Sequence, residues 1–269
     1  MFISASIVIF ETNKKDLIKA ISSVINSCID TLYIIDNSPT DILREFVKGP
    51  KVEYIFGHGN IGYGAGHNIA IKKTINNGYN YHIVINPDVE FYKETVEKMS
   101  DYMNTHSEVG LMMPKVFFPN GEVQYLCKLL PTPFDWIFRR FMPFSILVKR
   151  QNKKFELRHT GYNKIMNVPY LSGCFMFFRI DALKDVGLFD EKIFMYGEDT
   201  DITRRIHQKY QTLFYPQVSI IHRFNKKSYS DFRLLCIHIK SAIYYFNKWG
   251  WICDSERRRI NNSILSEVR

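Results

Sequence analysis

The sequence lacks several devices that mark protein classes. Its five cysteines stand apart at Cys28, Cys127, Cys174, Cys236 and Cys253, with no C-x-x-C pair, and their number is odd. The pattern is read as reduced, mostly buried thiols in a cytosolic setting. No stretch approaches the ~20 apolar residues of a transmembrane helix. The opening "MFISASIVIFETNKK" has its basic residues after the apolar run, the reverse of a signal peptide. Gly-Lys-Ser/Thr is missing, which excludes a P-loop, and the Gly-rich loop at 57–68 follows the third strand rather than the first, which argues against a dinucleotide fingerprint. There is no internal repeat and no low-complexity tract.

What is present fits a folded globular chain. The 269 residues are 46% hydrophobic and 23% charged, enough for one large domain or two small ones. Aromatics are high at 15%, and the formal net charge is +9. A basic balance favours acidic partners: nucleic acid, nucleotide phosphates or an anionic membrane surface.

Apolar runs at 3–10, 31–36, 52–56 and 82–86 read as buried strands. Between them, "KKDLIKAISSVINS" places Leu17, Ile18, Ile21, Val24 and Ile25 on one helical face. A Gly-rich loop at 57–68 leads into a helix, "IAIKKTINN", and 93–104 is a further helix. Strands alternating with helices imply right-handed crossovers and a mainly parallel sheet with helices on both faces. Three strands end in polar residues, at 11–13, 36–37 and 86–88, and ligands bind beyond such carboxyl ends. The second half is less regular. Asn120-Gly121 suggests a hairpin over 116–125, and 128–166 reads as a loop-rich, aromatic and basic insert. Residues 168–180 return to strand, 198–210 to helix, and 212–222 to a strand broken at Pro216. The tail from about 229 is helical.

Each candidate site residue also has a plain reading. The glycines Gly59, Gly62, Gly64 and Gly66 let a backbone approach a ligand, or simply make a turn. Asp88 is a ligand for Mg²⁺ or Mn²⁺ beside a diphosphate, or an Asp stabilising its own turn. In "GEDTD", Glu198, Asp199 and Asp201 complement a helix start, with Asp201 and Arg205 spaced i,i+4. An acid facing an apolar pocket there would instead have a raised pKa and serve as a base. His222 closes a strand, where a lone histidine is more often packed or surface-exposed than a metal ligand.

The segments "IVIFETN", "YIIDNS", "GNIGYGAGHN", "INPDV", "LSGCFMFFRIDALKDVGLFDEKIFMYGEDTDITRRI" and "IIH" occur in the order seen in family 2 inverting glycosyltransferases. The chain resembles the rhamnosyltransferase-like members over roughly residues 3 to 225. The resemblance implies an α/β GT-A fold, a mainly parallel central sheet with helices on both faces and a smaller mixed acceptor-side part, with a donor half at about 1–115 and an acceptor half at about 116–225. The helical tail at 226–269 is expected to pack on or near it. It implies a nucleoside-diphosphate sugar donor, dTDP- or UDP-linked, carrying rhamnose or a hexose such as galactose. A divalent cation, Mn²⁺ or Mg²⁺, and a glycan or lipid-linked glycan acceptor in surface polysaccharide synthesis follow with it. By this match Thr12 and Asp36 lie near base and ribose. Asn60, Gly62, Gly66 and Asn68 line the donor site. Asn86 and Asp88 take the D-x-D position, Asp88 and His222 hold metal, and Asp199 is the catalytic base with Glu198 beside it. Asn86 departs from the first acid of D-x-D, and a neutral amide is a weaker ligand than a carboxylate.

The alternatives are a nucleotidylyltransferase and a basic RNA-binding protein. "FETNKKD" lacks the glycines of the first, and "WIFRRFMPF" is only a fragment of the second's basic and aromatic stripe. No nucleic-acid partner is therefore expected. The +9 charge, the segment 134–150 and the tail "KWGWICDSERRR" add an expectation of peripheral contact at the inner face of the membrane.

Overall fold

The computed structural model describes residues 2–138, 146–223 and 232–268. The chain opens β1 (Ile3–Ile9), α1 (Lys14–Ile25), β2 (Thr31–Asp36), β3 (Val52–Phe56), α2 (Tyr63–Asn76), β4 (Tyr81–Ile85), β5 (Val89–Phe91) and α3 (Lys93–Thr105). It continues through β6 (Val109–Phe117), β7 (Cys127–Lys128), α4 (Ile146–Phe155), β8 (Met166–Asn167), β9 (Tyr170–Leu171) and β10 (Phe175–Arg179). Then come α5 (Ile180–Val186), α6 (Glu198–His207), β11 (Gln211–His222), α7 (Phe232–Trp249) and α8 (Ser255–Glu267).

The main sheet runs β3-β2-β1-β4-β10-β6-β11-β5, with β8 also on β11. The strands β1 to β4 pair in parallel, as the alternation of strands and helices requires. Beyond them β10 inserts antiparallel between β4 and β6, β11 is parallel to β6, and β5 and β8 are antiparallel to β11. The sheet is therefore parallel through its donor half and mixed on the acceptor side, as expected. The reason is local: β10 enters from the turn at Leu171–Cys174 and not from a crossover helix, so it runs against β4.

The period-two pattern of β1 decides which helices lie on which face. Ile3, Ala5, Ile7 and Ile9 join Leu17 and Val24 of α1 and Met99 and Met103 of α3 in one core. Ser4 and Ser6 point the other way, under α2. There Ser4 bonds Thr74 at 2.8 Å, Ser6 bonds His67 at 2.7 Å, and His82 bonds both serines. Burial lowers the pKa values of His67 and His82, so this chain is neutral. Further along the same face Ile71, Leu183, Ile202, Ile206, Ile260 and Ile264 cover Leu111, Phe178 and Phe214.

Several local expectations are corrected. Residues 63–68 are not loop: α2 begins at Tyr63, so Gly64 and Gly66 are helical. Glycine in a helix costs about 1 kcal/mol relative to alanine. Close packing offsets it, because a Cβ at Gly66 would sit 2.9 Å from a Val8 methyl. The 116–125 hairpin reduces to a single bridge, Phe117 to Val123. The 128–166 insert carries a helical turn at Phe134–Phe138 as well as α4, and 139–145 lie outside the described residues. Pro216 does not break β11; the strand shifts register against β6 between Tyr215 and Ser219, as a bulge around a proline does. Only Cys127 and Cys174 are buried, while Cys28 and Cys253 are exposed in loops after α1 and α7.

Helices α7 and α8 fasten to α6. The buried Arg204 guanidinium pairs with Asp254 at 2.8 Å and Glu256 at 2.7 Å, and lies 4.1 Å from the Trp249 ring centroid. Those carboxylates raise its pKa further against the cost of burial. Asn261 closes two bonds with the Leu130 backbone.

Candidate active site

The carboxyl ends of β4 and β11 meet at one point. Asp88 follows β4 in a tight turn closed by Val89 N to Asn86 O. Its Oδ1 lies 3.3 Å from His222 Nε2, at the last residue of β11. The Asn86 amide nitrogen is 3.4 Å from the same ring nitrogen. Burial alone would lower the His222 pKa; Cys174 and Asp88 beside it more than reverse that, to about 10. Asp88 and an imidazole nitrogen facing each other at this distance require a cation between them, either a proton or a metal.

The second centre is the start of α6. Asp199 Oδ2 accepts from Gly173 N at 2.9 Å, and its Oδ1 accepts from Thr200 N at 2.8 Å. Burial raises the Asp199 pKa, while Lys128 and these donors oppose the rise. Glu198 is more deeply buried, its Oε2 has no partner, and burial with the neighbouring Asp199 charge pushes it up to about 8. Of this pair Glu198 holds the proton at neutral pH and Asp199 carries the charge, because only Asp199 has donors on both oxygens. Asp201 is fully buried and committed elsewhere: it bonds Arg205 at 2.9 Å, Lys248 at 2.8 Å and Trp249 Nε1 at 2.8 Å. Gly197 precedes this helix because its φ is +106° and a Cβ there would meet Trp136 Cη2 at 2.5 Å.

Tyr63 joins the two centres. Its hydroxyl lies 2.8 Å from Asn86 Oδ1 and 2.8 Å from the Gly173 carbonyl. One side of Gly173 thus holds Tyr63 and the other holds Asp199. Tyr63 N in turn donates to Phe194 O at 2.9 Å, so the first amide of α2 is already occupied.

The other expected donor residues divide. Thr12 and Asp36 stand at the ends of β1 and β2. Asp36 accepts from Ser38 N and from the Tyr54 hydroxyl, whose pKa rises through burial and that bond. Asn60 is exposed and accepts from Gly62 N. Gly62 has φ +91°, and a Cβ there would lie 2.3 Å from Phe194 O. Gly66 and Asn68 are corrections. Gly66 packs on Val8, and Asn68, 1% exposed, spends its amide on Phe189 and Glu191. Both sit inside the fold because α2 starts earlier than its sequence suggests.

Residues 4–187 match the family model described as Glycosyl transferase family 2. The chain belongs to this family. Among its relatives, the low-salt glycan biosynthesis hexosyltransferase Agl10 of Haloferax volcanii is 23% identical over 205 residues, covering 76% of this chain and 62% of the relative. The N-acetylglucosaminyl-diphospho-decaprenol L-rhamnosyltransferase of Mycobacterium tuberculosis is 22% identical over 210 residues, 71% of this chain and 66% of the relative. The chain therefore spans about two thirds or less of the length of these curated relatives. GalNAc-T7, solved with UDP, GalNAc and Mn²⁺, superposes with a TM-score of 0.63 at 18% identity, over 82% of this chain and 43% of that one. Staphylococcus aureus TarS 1–349 superposes with a TM-score of 0.58 at 14% identity, over 98% and 71%. These likenesses show the fold, which is GT-A. A family 2 glycosyltransferase domain displaces both the nucleotidylyltransferase and the RNA-binding alternatives.

Sequence reasoning did not single out Tyr63, Gln124, Gly173, Cys174 or Lys128. All except Lys128 fall in stretches already quoted for a turn, a glycine or an acid, but nothing in spacing alone tells which neighbour reaches the site.

Proposed function

We propose that this chain is an inverting glycosyltransferase that moves rhamnose, or a hexose such as galactose, from a dTDP- or UDP-linked sugar to an acceptor hydroxyl on a glycan or lipid-linked glycan in surface polysaccharide synthesis. One observation carries the reading: Asp88 and His222 lie together at one set of strand ends, and Tyr63 and Gly173 tie them to Asp199. That supplies a diphosphate end and a base end within one site.

The residues fit a divalent cation. Asp88 brings a carboxylate oxygen, His222 a ring nitrogen and Asn86 an amide. No cluster of three or more His, Cys, Asp or Glu exists among the described residues, so remaining ligands would come from diphosphate and water. The chemistry supplied by bound Mn²⁺ or Mg²⁺ is neutralisation of charge on the departing diphosphate.

The acceptor oxygen attacks the anomeric carbon from the face opposite the diphosphate. Its proton passes to Asp199 as the new C–O bond forms, and the electron pair of the breaking bond leaves on the phosphate oxygen. Positioned base catalysis contributes typically ~10²–10⁴-fold. Glu198, holding its own proton, leaves Asp199 as the group that accepts. Thr12 and Asp36, beyond β1 and at the end of β2, would face base and ribose, and Asn60 in the loop before α2 would line the donor site.

Contact with the cytoplasmic face of a membrane belongs to the same proposal. No helix among the described residues is long and apolar enough to cross one. Phe232, Ile243, Trp251 and Ile252 are exposed on α7 and the loop after it. Arg257, expected to meet headgroups, is buried and bonds Asp254 and backbone carbonyls, so only Arg258 and Arg259 of that cluster face solvent.

The test is incubation with Mn²⁺ and a panel of UDP-, dTDP- and GDP-sugars, reading diphosphate release, donor binding and the anomeric configuration of the product. Release from one donor with inversion supports the reading. Retention of configuration, or no response to any donor, overturns it.

A further inference from the structure

We propose that Gln124 is a positioning residue that holds the proton of His222 on Nδ1 and so turns the Nε2 lone pair toward Asp88. The inference rests on the reading above that Asp88 and His222 hold a divalent cation.

Gln124 reaches the site by a backbone device. The turn at 118–122 folds the chain back along β6, closing with Phe118 N to Glu122 O at 2.8 Å and Gln124 N to Val116 O at 2.8 Å. Because β11 lies beside β6, this lays Gln124 against the end of β11. The side chain is 3% exposed there.

The two ends of its amide can be told apart. The nitrogen faces two backbone carbonyls, His222 O at 2.7 Å and Phe117 O at 3.4 Å. Carbonyl oxygens only accept, so the group facing them is the NH₂. The other end, Oε1, then faces His222 Nδ1 at 3.0 Å. An amide oxygen has no proton to give, so Nδ1 must carry one. With Nδ1–H fixed, the proton that a metal ion displaces is the one on Nε2, so the lone pair is released on the atom 3.3 Å from Asp88 Oδ1. Turning the amide over would set NH₂ against Nδ1 and an oxygen against two carbonyls, losing both backbone bonds. A glutamine outside the ligand set thus decides which ring nitrogen is offered. Such outer partners typically change metal affinity by 10–100-fold when removed.

The experiment measures Mn²⁺ binding by electron paramagnetic resonance, with and without UDP, for wild type, Gln124→Met, Gln124→Glu, His222→Ala and Asp88→Ala. Gln124→Met keeps the length and removes the acceptor, and Mn²⁺ affinity should fall 10–100-fold. Gln124→Glu loses the two carbonyl bonds but still accepts from Nδ1, so it should bind Mn²⁺ more tightly than Gln124→Met. Long-range ¹H–¹⁵N spectra of ¹⁵N-histidine protein with Mg²⁺ should show the His222 proton on Nδ1. Wild-type affinity in Gln124→Met, with His222→Ala weakened, overturns the role of Gln124 and leaves the cation reading standing. Wild-type affinity in His222→Ala and Asp88→Ala overturns that reading and the inference with it. Equal loss in folded Gln124→Met and Gln124→Glu overturns the inference, and so does a wild-type proton on Nε2, which is read even where Gln124→Met fails to fold.

Discussion

The Tyr63 hydroxyl lies 2.8 Å from both the Asn86 side-chain oxygen and the Gly173 carbonyl. One phenol proton serves one acceptor at a time. Gly173 O can only accept, so with the proton there the phenol oxygen is ready to receive the Asn86 NH₂. That needs the amide to rotate by half a turn, and the rotation brings Asn86 Oδ1 toward His222 and Asp88, where a cation ligand is wanted. Burial holds the Tyr63 pKa well above its ordinary value, with Glu198 adding to the rise, so the proton is always present. Tyr63→Phe should lower stability by about 1–2 kcal/mol, since Gly173 O loses a buried partner. It should also weaken Mn²⁺-dependent donor binding. Thermal melts beside donor titrations check both; unchanged binding in Tyr63→Phe would show that the bridge is structural only.

Asp88 and Asn86 should not be equivalent. Asp88 brings a charge to the cation and Asn86 a dipole, so Asp88→Ala should abolish the Mn²⁺-dependent part of donor affinity, while Asn86→Ala should reduce it less. Titration of the sugar nucleotide with and without Mn²⁺ separates them. If Asp88→Ala binds donor like wild type in both conditions, Asp88 serves only its own turn.

What the sequence made legible was local. The run Thr31–Asp36 and the run Val52–Phe56 emerge as strands with the expected ends, because an apolar β-branched run bounded by turns has few other solutions. Asp88, Asp199 and His222 stood out as acids or a histidine at element ends, and the structure brings them together. Illegible features depended on contacts distant in sequence. Gly64 and Gly66 look like loop residues until Phe189 and Val8 are seen to need their missing side chains. The sequence does not reveal β6 before its end, since the Val109–Lys115 stretch lacks strict alternation and carries a glycine and a proline. Gln124 carries no signal at all: its meaning exists only once β6 and β11 are neighbours.

Membrane contact should be electrostatic in part and apolar in part. Ile252 and Phe232 are each 77% exposed, and Arg258 and Arg259 lie on α8. Basic side chains near an anionic surface contribute about 1 kcal/mol each. Co-sedimentation should therefore be stronger with anionic than with neutral vesicles, and Arg258→Glu with Arg259→Glu should reduce it. Equal binding to both vesicle types, or none to either, removes the electrostatic account.

Stability should fall as pH rises through the range of Glu198. Its folded pKa of about 8 exceeds the ordinary 4.5, so the folded chain binds more protons than the unfolded one between those values. The contribution is present below 4.5 and lost on approaching 8. His222 acts with the same sign at higher pH, from 6.5 to about 10. Glu198→Gln removes only the first contribution. The difference in melting temperature between Glu198→Gln and wild type should grow in the variant's favour from pH 5 to pH 8. A constant difference across that range would mean Glu198 is ionised in the fold.

Asp199 should be the proton acceptor. An acceptor hydroxyl is a weak nucleophile until a carboxylate takes its proton, and three acids compete for that role at the start of α6. Asp201 is excluded by its partners: Arg205, Lys248 and Trp249 take up a fully buried carboxylate. Glu198 is excluded by its proton and by its place, with its Cβ 3.5 Å from where a Cβ on Gly64 would stand, inside the packing under α2. Asp199 is partly exposed, ionised and fixed by Gly173 N and Thr200 N on separate oxygens. Asp199→Asn keeps the shape and loses the base, so donor affinity should survive while turnover falls by ~10²–10⁴-fold. Glu198→Gln should retain most turnover. Asp201→Asn should mainly lower stability, by leaving the Arg205 and Lys248 charges less well matched. The measurement is transfer rate beside donor affinity for the three variants. Near-normal turnover in Asp199→Asn would move the base elsewhere, whichever of the other two then failed.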